Sequence, residues 1–259
     1  MEIIIQPSSQ EVCSLAARIV AKLVREKPAA VIGLPTGGTP RPMYAELVRM
    51  HQTEQLDFSR VTTFNLDEYV GLGPDHPCSY HYYMTENFFN HVNIPEKQTH
   101  VPDGLAEDVP DFCRHYESAI REAGGIDLQI LGIGEDGHIG FNEPTSSLAS
   151  RTRIKTLTQK TVDANKRFFK SDEIVPRHVI TLGVGTIMEA KRCLLIACGQ
   201  GKAVAVAAMV EGPVTAMTPA SALQFHPSVV LLVDEAAAGR LALGDYYRSV
   251  YRNKPDWQR

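Results

Sequence analysis

The chain has no stretch of about 18 consecutive apolar residues, so no segment reads as a membrane span. Its first residues, Met1-Glu2-Ile3-Ile4-Ile5-Gln6-Pro7, place an acid where an export signal carries basic residues, and their apolar run is too short for a signal core. Basic residues are not in excess. With 26 Lys and Arg against 30 Asp and Glu, the formal charge is −4, and no global field favours nucleic acid. The five cysteines, Cys13, Cys78, Cys113, Cys193 and Cys198, are odd in number and form no Cys-x-x-Cys pair, which argues against a disulfide framework or a zinc site and for reduced thiols in the cytoplasm. Repeats, low-complexity tracts and Gly/Ser- or Pro-rich linkers are also missing, so residues 1–259 read as a single domain with a C-terminal tail from about residue 245.

What is present is ordinary globular material: 259 residues, 44% hydrophobic and 22% charged, enough for one sizeable core. Short apolar runs alternate with helix-like stretches: 29–34 then 40–50, 61–66, 128–133, 178–182 then 186–190, 193–198 then 202–210, and 229–233 before a closing helix from about 236. Several runs are apolar at every position, as in strands covered on both faces. The expected fold is therefore α/β, Rossmann-like, with a mainly parallel sheet sandwiched by helices and ligands bound beyond the carboxyl ends of the strands.

Three strand ends carry chemistry. After 29–34 comes Pro35-Thr36-Gly37-Gly38-Thr39-Pro40, whose free backbone N–H groups and following helix start suit a phosphomonoester; it lacks the lysine-bearing spacing of an ATP loop, and a plain strand-to-helix turn is the alternative. After 61–66 come Asp67-Glu68-Tyr69, two carboxylates behind a buried run, one a candidate base facing the cleft, with a helix-capping acid as the alternative. After 128–133 a glycine-rich loop presents Asp136, His138 and Glu143. Its Gly132-x-Gly134-x-x-Gly137 imitates a dinucleotide fingerprint, but Gly140 and Pro144 oppose a helix there and no acid stands about twenty residues on. Carboxylates flanking His138 suit orientation of an imidazole for proton transfer; a metal site is the weaker alternative. Arg151, Arg153 and Lys155 recur at period two and would form an anion-binding row if extended, or else a solvated charged edge. Arg167 and Lys202 are two further cations within reach of a phosphate, Lys202 at a strand-to-helix junction and Arg167 with surface solvation as its alternative.

Taken together, the string from Gly33 to Pro40, Phe64-Asn65-Leu66-Asp67-Glu68-Tyr69-Val70-Gly71-Leu72, His76-Pro77 with Ser79-Tyr80, Gly132 to Pro144 and the block from Ser146 to Leu157 resemble the glucosamine-6-phosphate deaminase (glucosamine-6-phosphate isomerase) family. The resemblance implies a hydrolase of amino-sugar catabolism (N-acetylglucosamine, N-acetylneuraminate) that turns glucosamine 6-phosphate and water into fructose 6-phosphate and ammonia, with no metal and no organic cofactor. It implies that Asp67 removes the C2 proton, and that His138, supported by Asp136 and Glu143, opens the sugar ring. Thr36, Gly37, Gly38 and Thr39 with Arg167 and Lys202 would hold the phosphate. Some members are hexamers activated by N-acetylglucosamine 6-phosphate, and the resemblance extends that effector site to Ser146, Arg153 and Lys155, with Tyr246 of the tail aligned to a family tyrosine. A homo-oligomer, with a hexamer favoured, is expected on that basis, although the tail from Ser249 departs from the family pattern. A long polar segment, residues 147–169, stands where a closing lid would lie. Two rivals share the phosphate cradle. A 6-phosphogluconolactonase-like hydrolase needs no C2 base, and a sugar-phosphate sensor needs no complete acid-base set.

Overall fold

The computed structural model describes residues 1–170 and 173–255. In chain order, β1 (Glu2–Gln6) leads to α1 (Ser9–Glu26), β2 (Val31–Leu34) to α2 (Arg41–Glu54), and β3 (Thr62–Asn65) to β4 (Asp67–Tyr69) and α3 (Tyr80–Asn87). There follow β5 (Thr99–His100), α4 (Val109–Glu122), β6 (Leu128–Leu131), β7 (Arg153–Thr156), α5 (Gln159–Asn165), β8 (His178–Thr181) and α6 (Val184–Met188). The chain ends through β9 (Cys193–Ala197), α7 (Ala203–Val210), β10 (Val229–Asp234), α8 (Glu235–Ala238) and α9 (Gly244–Arg252).

Seven strands form one parallel sheet in the order β1-β10-β9-β6-β2-β3-β5. Successive side chains of a strand point to opposite faces, and here both faces are apolar and covered. Ile32, Leu34, Leu194 and Ile196 pack with Val12, Ala16, Val20, Met43 and Leu47 of α1 and α2, whereas Val31, Cys193, Leu195 and Val233 pack with Tyr116, Ile120, Val206 and Met209 of α4 and α7. Each fully buried aliphatic side chain of this kind contributes roughly 1.5–3 kcal/mol. That is why the strand runs read as apolar throughout.

From β2 the chain steps outward to β3 and β5, and from the neighbouring β6 it steps the other way, to β9 and β10. Connections therefore leave β2 and β6 in opposite directions, and a crevice opens at the carboxyl ends of the two strands. At the amino ends the sheet is clamped instead. The Asp127 carboxylate accepts Lys27 Nζ at 2.7 Å, Lys191 Nζ at 2.8 Å and the Val31 N–H at 2.8 Å, tying the starts of β2, β6 and β9 together.

Three sequence readings change. The run at 178–182 does not join the parallel sheet; β8 is the centre of a three-stranded antiparallel sheet between β4 and β7. Only Leu66 separates β3 from β4, so the chain leaves the large sheet at Asp67. The closing helix is two helices, α8 and α9, and residues 2–6 are the edge strand β1, against which α9 packs. All five cysteines are free, and among the described residues no helix is long and apolar enough to cross a membrane.

Candidate active site

The crevice holds a cavity of about 420 Å³. Thr36, Gly37, Gly38 and Thr39 form one wall, Asp67 the floor, Asp136 and His138 a second wall, and Arg167 with Lys202 complete the rim. Every residue expected to act in catalysis or phosphate binding lines this space except Glu143.

Asp67 and Glu68, adjacent in the chain, face different surroundings. Asp67 is only 6% exposed, and among the described residues no group donates a hydrogen bond to its carboxylate. Burial, with a smaller push from the charge of Glu68, raises its pKa to about 8. Glu68 turns the other way and accepts the N–H groups of Tyr69 at 2.8 Å, Tyr80 at 2.9 Å and His81 at 2.9 Å. It satisfies the free donors at the start of α3, so the helix-capping role falls to Glu68, while Asp67 lines the cavity. Burial raises Glu68 to about 7 even against these three donors.

In the glycine-rich loop, His138 Nδ1 lies 2.6 Å from Asp136 Oδ1, and the hydrogen bond holds Asp136 at about 2 despite partial burial. Asp136 is an anion at any working pH, so the shared proton sits on Nδ1 and Nε2 of a neutral ring is left as an acceptor. Gly134 makes room for this arrangement: a Cβ there would lie 2.2 Å from the imidazole. The loop is fixed to β8 by Phe141 N–H donating to Thr181 Oγ1 at 3.1 Å and by Asn142 Nδ2 donating to the Leu182 carbonyl at 2.8 Å.

Glu143 does not orient His138 directly. It is buried, 2% exposed, and accepts from Thr158 N–H at 3.1 Å, Thr158 Oγ1 at 2.9 Å and Thr161 Oγ1. Its partners sit at the start of α5, so it couples the glycine-rich loop to the polar segment over the cavity; Thr161, Ala164, Asn165 and Arg167 of that segment line the cavity. Residues 171 and 172, just beyond the segment expected to act as a lid, lie outside the described residues.

Lys202 is half-buried, and burial lowers its pKa, while the carboxylates of Glu135 and Asp136 oppose that shift. The turn before it is anchored by the Asp234 carboxylate, which accepts the Gly199 N–H at 3.0 Å. Arg167 is exposed and lies 4.8 Å over the Phe168 ring. The sequence reading missed Glu135 and Tyr80, both in the lining. Glu135 stands in the loop already singled out and could have been read with Asp136; Tyr80 reaches the site only through α3.

The chain matches, over residues 6–231, the family described as glucosamine-6-phosphate isomerases/6-phosphogluconolactonase. It belongs to that family. Within it, a glucosamine-6-phosphate deaminase of Arthrobacter sp. (strain FB24) is 56% identical over 258 residues, covering 100% of this chain and 99% of that protein. A glucosamine-6-phosphate deaminase of Mycolicibacterium smegmatis is 54% identical over 259 residues, with the same coverage. Among solved structures, one described as a monomeric glucosamine-6-phosphate deaminase superposes with a TM-score of 0.90 at 46% identity, covering 93% of this chain and 100% of that one. The 6-phosphogluconolactonase of Trypanosoma brucei shares the fold, with a TM-score of 0.73, at 19% identity over 93% of this chain and 98% of that one. This family member is therefore an enzyme of the deaminase branch.

The basic row is only partly as expected. Arg151 is withdrawn from it by Glu117 and by Glu189, the latter at 2.5 and 2.9 Å. Arg153 and Lys155 remain, both half-buried on one face of β7, and among the described residues neither meets a carboxylate. Ser146 is buried, and among the described residues its hydroxyl has no hydrogen-bond partner. Tyr246 lies apart, 60% exposed on α9. Among the described residues no three His, Cys, Asp or Glu side chains converge as a metal ion would require.

Proposed function

We propose that this family member deaminates glucosamine 6-phosphate by coupled aldose–ketose isomerisation. The observation that carries the reading is Asp67: a buried carboxylate without a donor among the described residues, raised to about 8, in a cavity lined also by Thr36, Gly37, Gly38, Thr39, Arg167 and Lys202. A lactonase has no use for such a base at a sugar carbon. The phosphate lies on the loop of Thr36, Gly37, Gly38 and Thr39, with Arg167 and Lys202 supplying charge. His138 Nε2 takes the anomeric hydroxyl proton and returns it to the ring oxygen, opening the ring, while Asp136 stabilises the transient imidazolium. Entry of the substrate ammonium beside Asp67 favours its ionised form. Asp67 then removes the C2 proton, the resulting enolamine is reprotonated at C1, and water replaces nitrogen at C2. Fructose 6-phosphate and ammonia leave.

The decisive assay is release of both products from glucosamine 6-phosphate by purified, metal-stripped protein. Turnover is expected, and no ammonia from folded protein would overturn the reading. The cytoplasmic setting and the place in amino-sugar breakdown belong to the same proposal.

A second anion place is supported by Ser146, Arg153 and Lys155: among the described residues, a buried hydroxyl without a hydrogen-bond partner and two cations that meet no carboxylate. We assign it to N-acetylglucosamine 6-phosphate as activator. Because a 46% identical relative is described as monomeric, a hexamer is not needed for the chemistry, and activation stands or falls with assembly. Sigmoidal kinetics made hyperbolic by the acetylated sugar, in a species that sediments as an oligomer, are expected. Hyperbolic kinetics indifferent to it would remove the effector role.

A further inference from the structure

The loop after β2 has its peptide units turned in a fixed sense. The Pro35 carbonyl accepts the Tyr44 hydroxyl at 2.6 Å, the Gly37 carbonyl the Tyr83 hydroxyl at 2.7 Å, and the Thr39 carbonyl the Cys13 thiol at 3.4 Å. Three carbonyls at alternate positions are thus drawn toward α2, α3 and α1. In a trans peptide the N–H opposes the carbonyl of the same unit. Drawing the Pro35 and Gly37 carbonyls away therefore turns the N–H groups of Thr36 and Gly38 the other way, into the cavity that both residues line. The third unit adds no donor, since Pro40 has no N–H.

Resting on the sugar-phosphate reading above, we propose that Tyr83 is a positioning residue for substrate phosphate: its hydroxyl, with that of Tyr44, holds the loop peptides so that their N–H groups meet the anion. Neither tyrosine lines the cavity, so both act through the loop. The need is greatest at Gly37. It sits at φ +101°, where glycine tolerates either orientation of the following peptide at little cost, whereas the ring of Pro35 limits its own backbone. Burial holds both phenols above their usual range, so each remains an O–H donor at any working pH. The arrangement spends the loop's acceptors on the protein and leaves its donors to the ligand, which is what an anion site requires.

The test is Tyr83→Phe in the full chain, which removes one hydroxyl from a half-buried ring. Inorganic phosphate is titrated by calorimetry, and steady-state kinetics are run on glucosamine 6-phosphate. The dissociation constant for phosphate and KM are expected to rise together by about three- to tenfold, with kcat within about twofold and the pH dependence of kcat/KM unmoved. Tyr44→Phe, checked for an intact thermal transition, is expected to act in the same direction. Unchanged phosphate affinity in folded Tyr83→Phe overturns the proposal, as does a fall in kcat with phosphate affinity kept. If the wild type released no ammonia yet bound phosphate, and Tyr83→Phe weakened that binding, the deaminase reading would fall and this one would stand. A wild type without phosphate affinity would sink both.

Discussion

Two carboxylates share one cavity and are driven in opposite directions. Asp136 is partly solvated, bonded to His138 and held at about 2, whereas Asp67 is buried, without a donor and raised to about 8. The first suits a permanent anion that fixes a tautomer. The second suits a base strong enough to take a proton from carbon. On the proposed mechanism, one site would run two proton transfers of unequal difficulty by wetting one acid and drying the other. The sheets contribute directly: Asp136 follows a strand of the large parallel sheet, and Asp67 stands where the chain leaves that sheet for the small one.

The comparison breaks most completely at Asp67. Asp67→Asn is expected to lower kcat by about 10³- to 10⁴-fold and to leave phosphate affinity in place, read by ammonia release and calorimetry. The same change is expected to stabilise the protein in alkaline solution. A carboxyl with a raised folded pKa contributes stability that is present below its unfolded value near 4 and is lost as pH rises through about 8. Thermal midpoints should therefore favour the variant at pH 8–9 and converge toward pH 4; equal midpoints at pH 9 would mean that Asp67 is not strained.

Asp136→Asn comes next, with an expected loss on the order of 10²-fold in kcat, because the amide no longer fixes the Nδ1 proton. Its stability effect has the opposite sign. The depressed pKa contributes stability above the unfolded value near 4 that is lost as pH falls through about 2, so the variant's thermal midpoint should lie below that of wild type at neutral pH and converge with it toward pH 2. Retained turnover would reduce Asp136 to a loop tie.

The smallest effect sharpens the comparison. In the wild type the acid limb of kcat/KM is expected near pH 8, since the free enzyme must ionise Asp67. Glu68→Gln removes the like charge beside it and should move that limb to lower pH by about half a unit to one unit. A limb that stays put would leave burial as the whole cause.

The parts of the site legible in the sequence are those that follow directly from a strand: the glycine turn, the paired acids, the glycine-rich loop with its histidine. Their chemistry is carried by residue type and their place by the sheet. What escaped depended on distant neighbours. Arg151 looked like its period-two companions, but Glu117 and Glu189, 34 and 38 residues away, claim it. Glu143 looked like a partner of His138 until Thr158 and Thr161 accounted for its oxygens. The run at 178–182 is as apolar as its neighbours, and nothing in its period distinguishes an antiparallel centre strand from a parallel one. The hydroxyls of Tyr44 and Tyr83 were invisible because a tyrosine on a helix reads as core.

At the far end of the sheet, Asp127 has both oxygens occupied, by two lysines and a backbone donor, while at the near end Asp67 has no donor among the described residues. On the proposed mechanism the molecule would be divided along its strands into an end that governs survival and an end that governs turnover. Substitutions around Asp127 will be felt as a shorter cellular lifetime of an enzyme that still works, and those around Asp67 as a long-lived protein that does not.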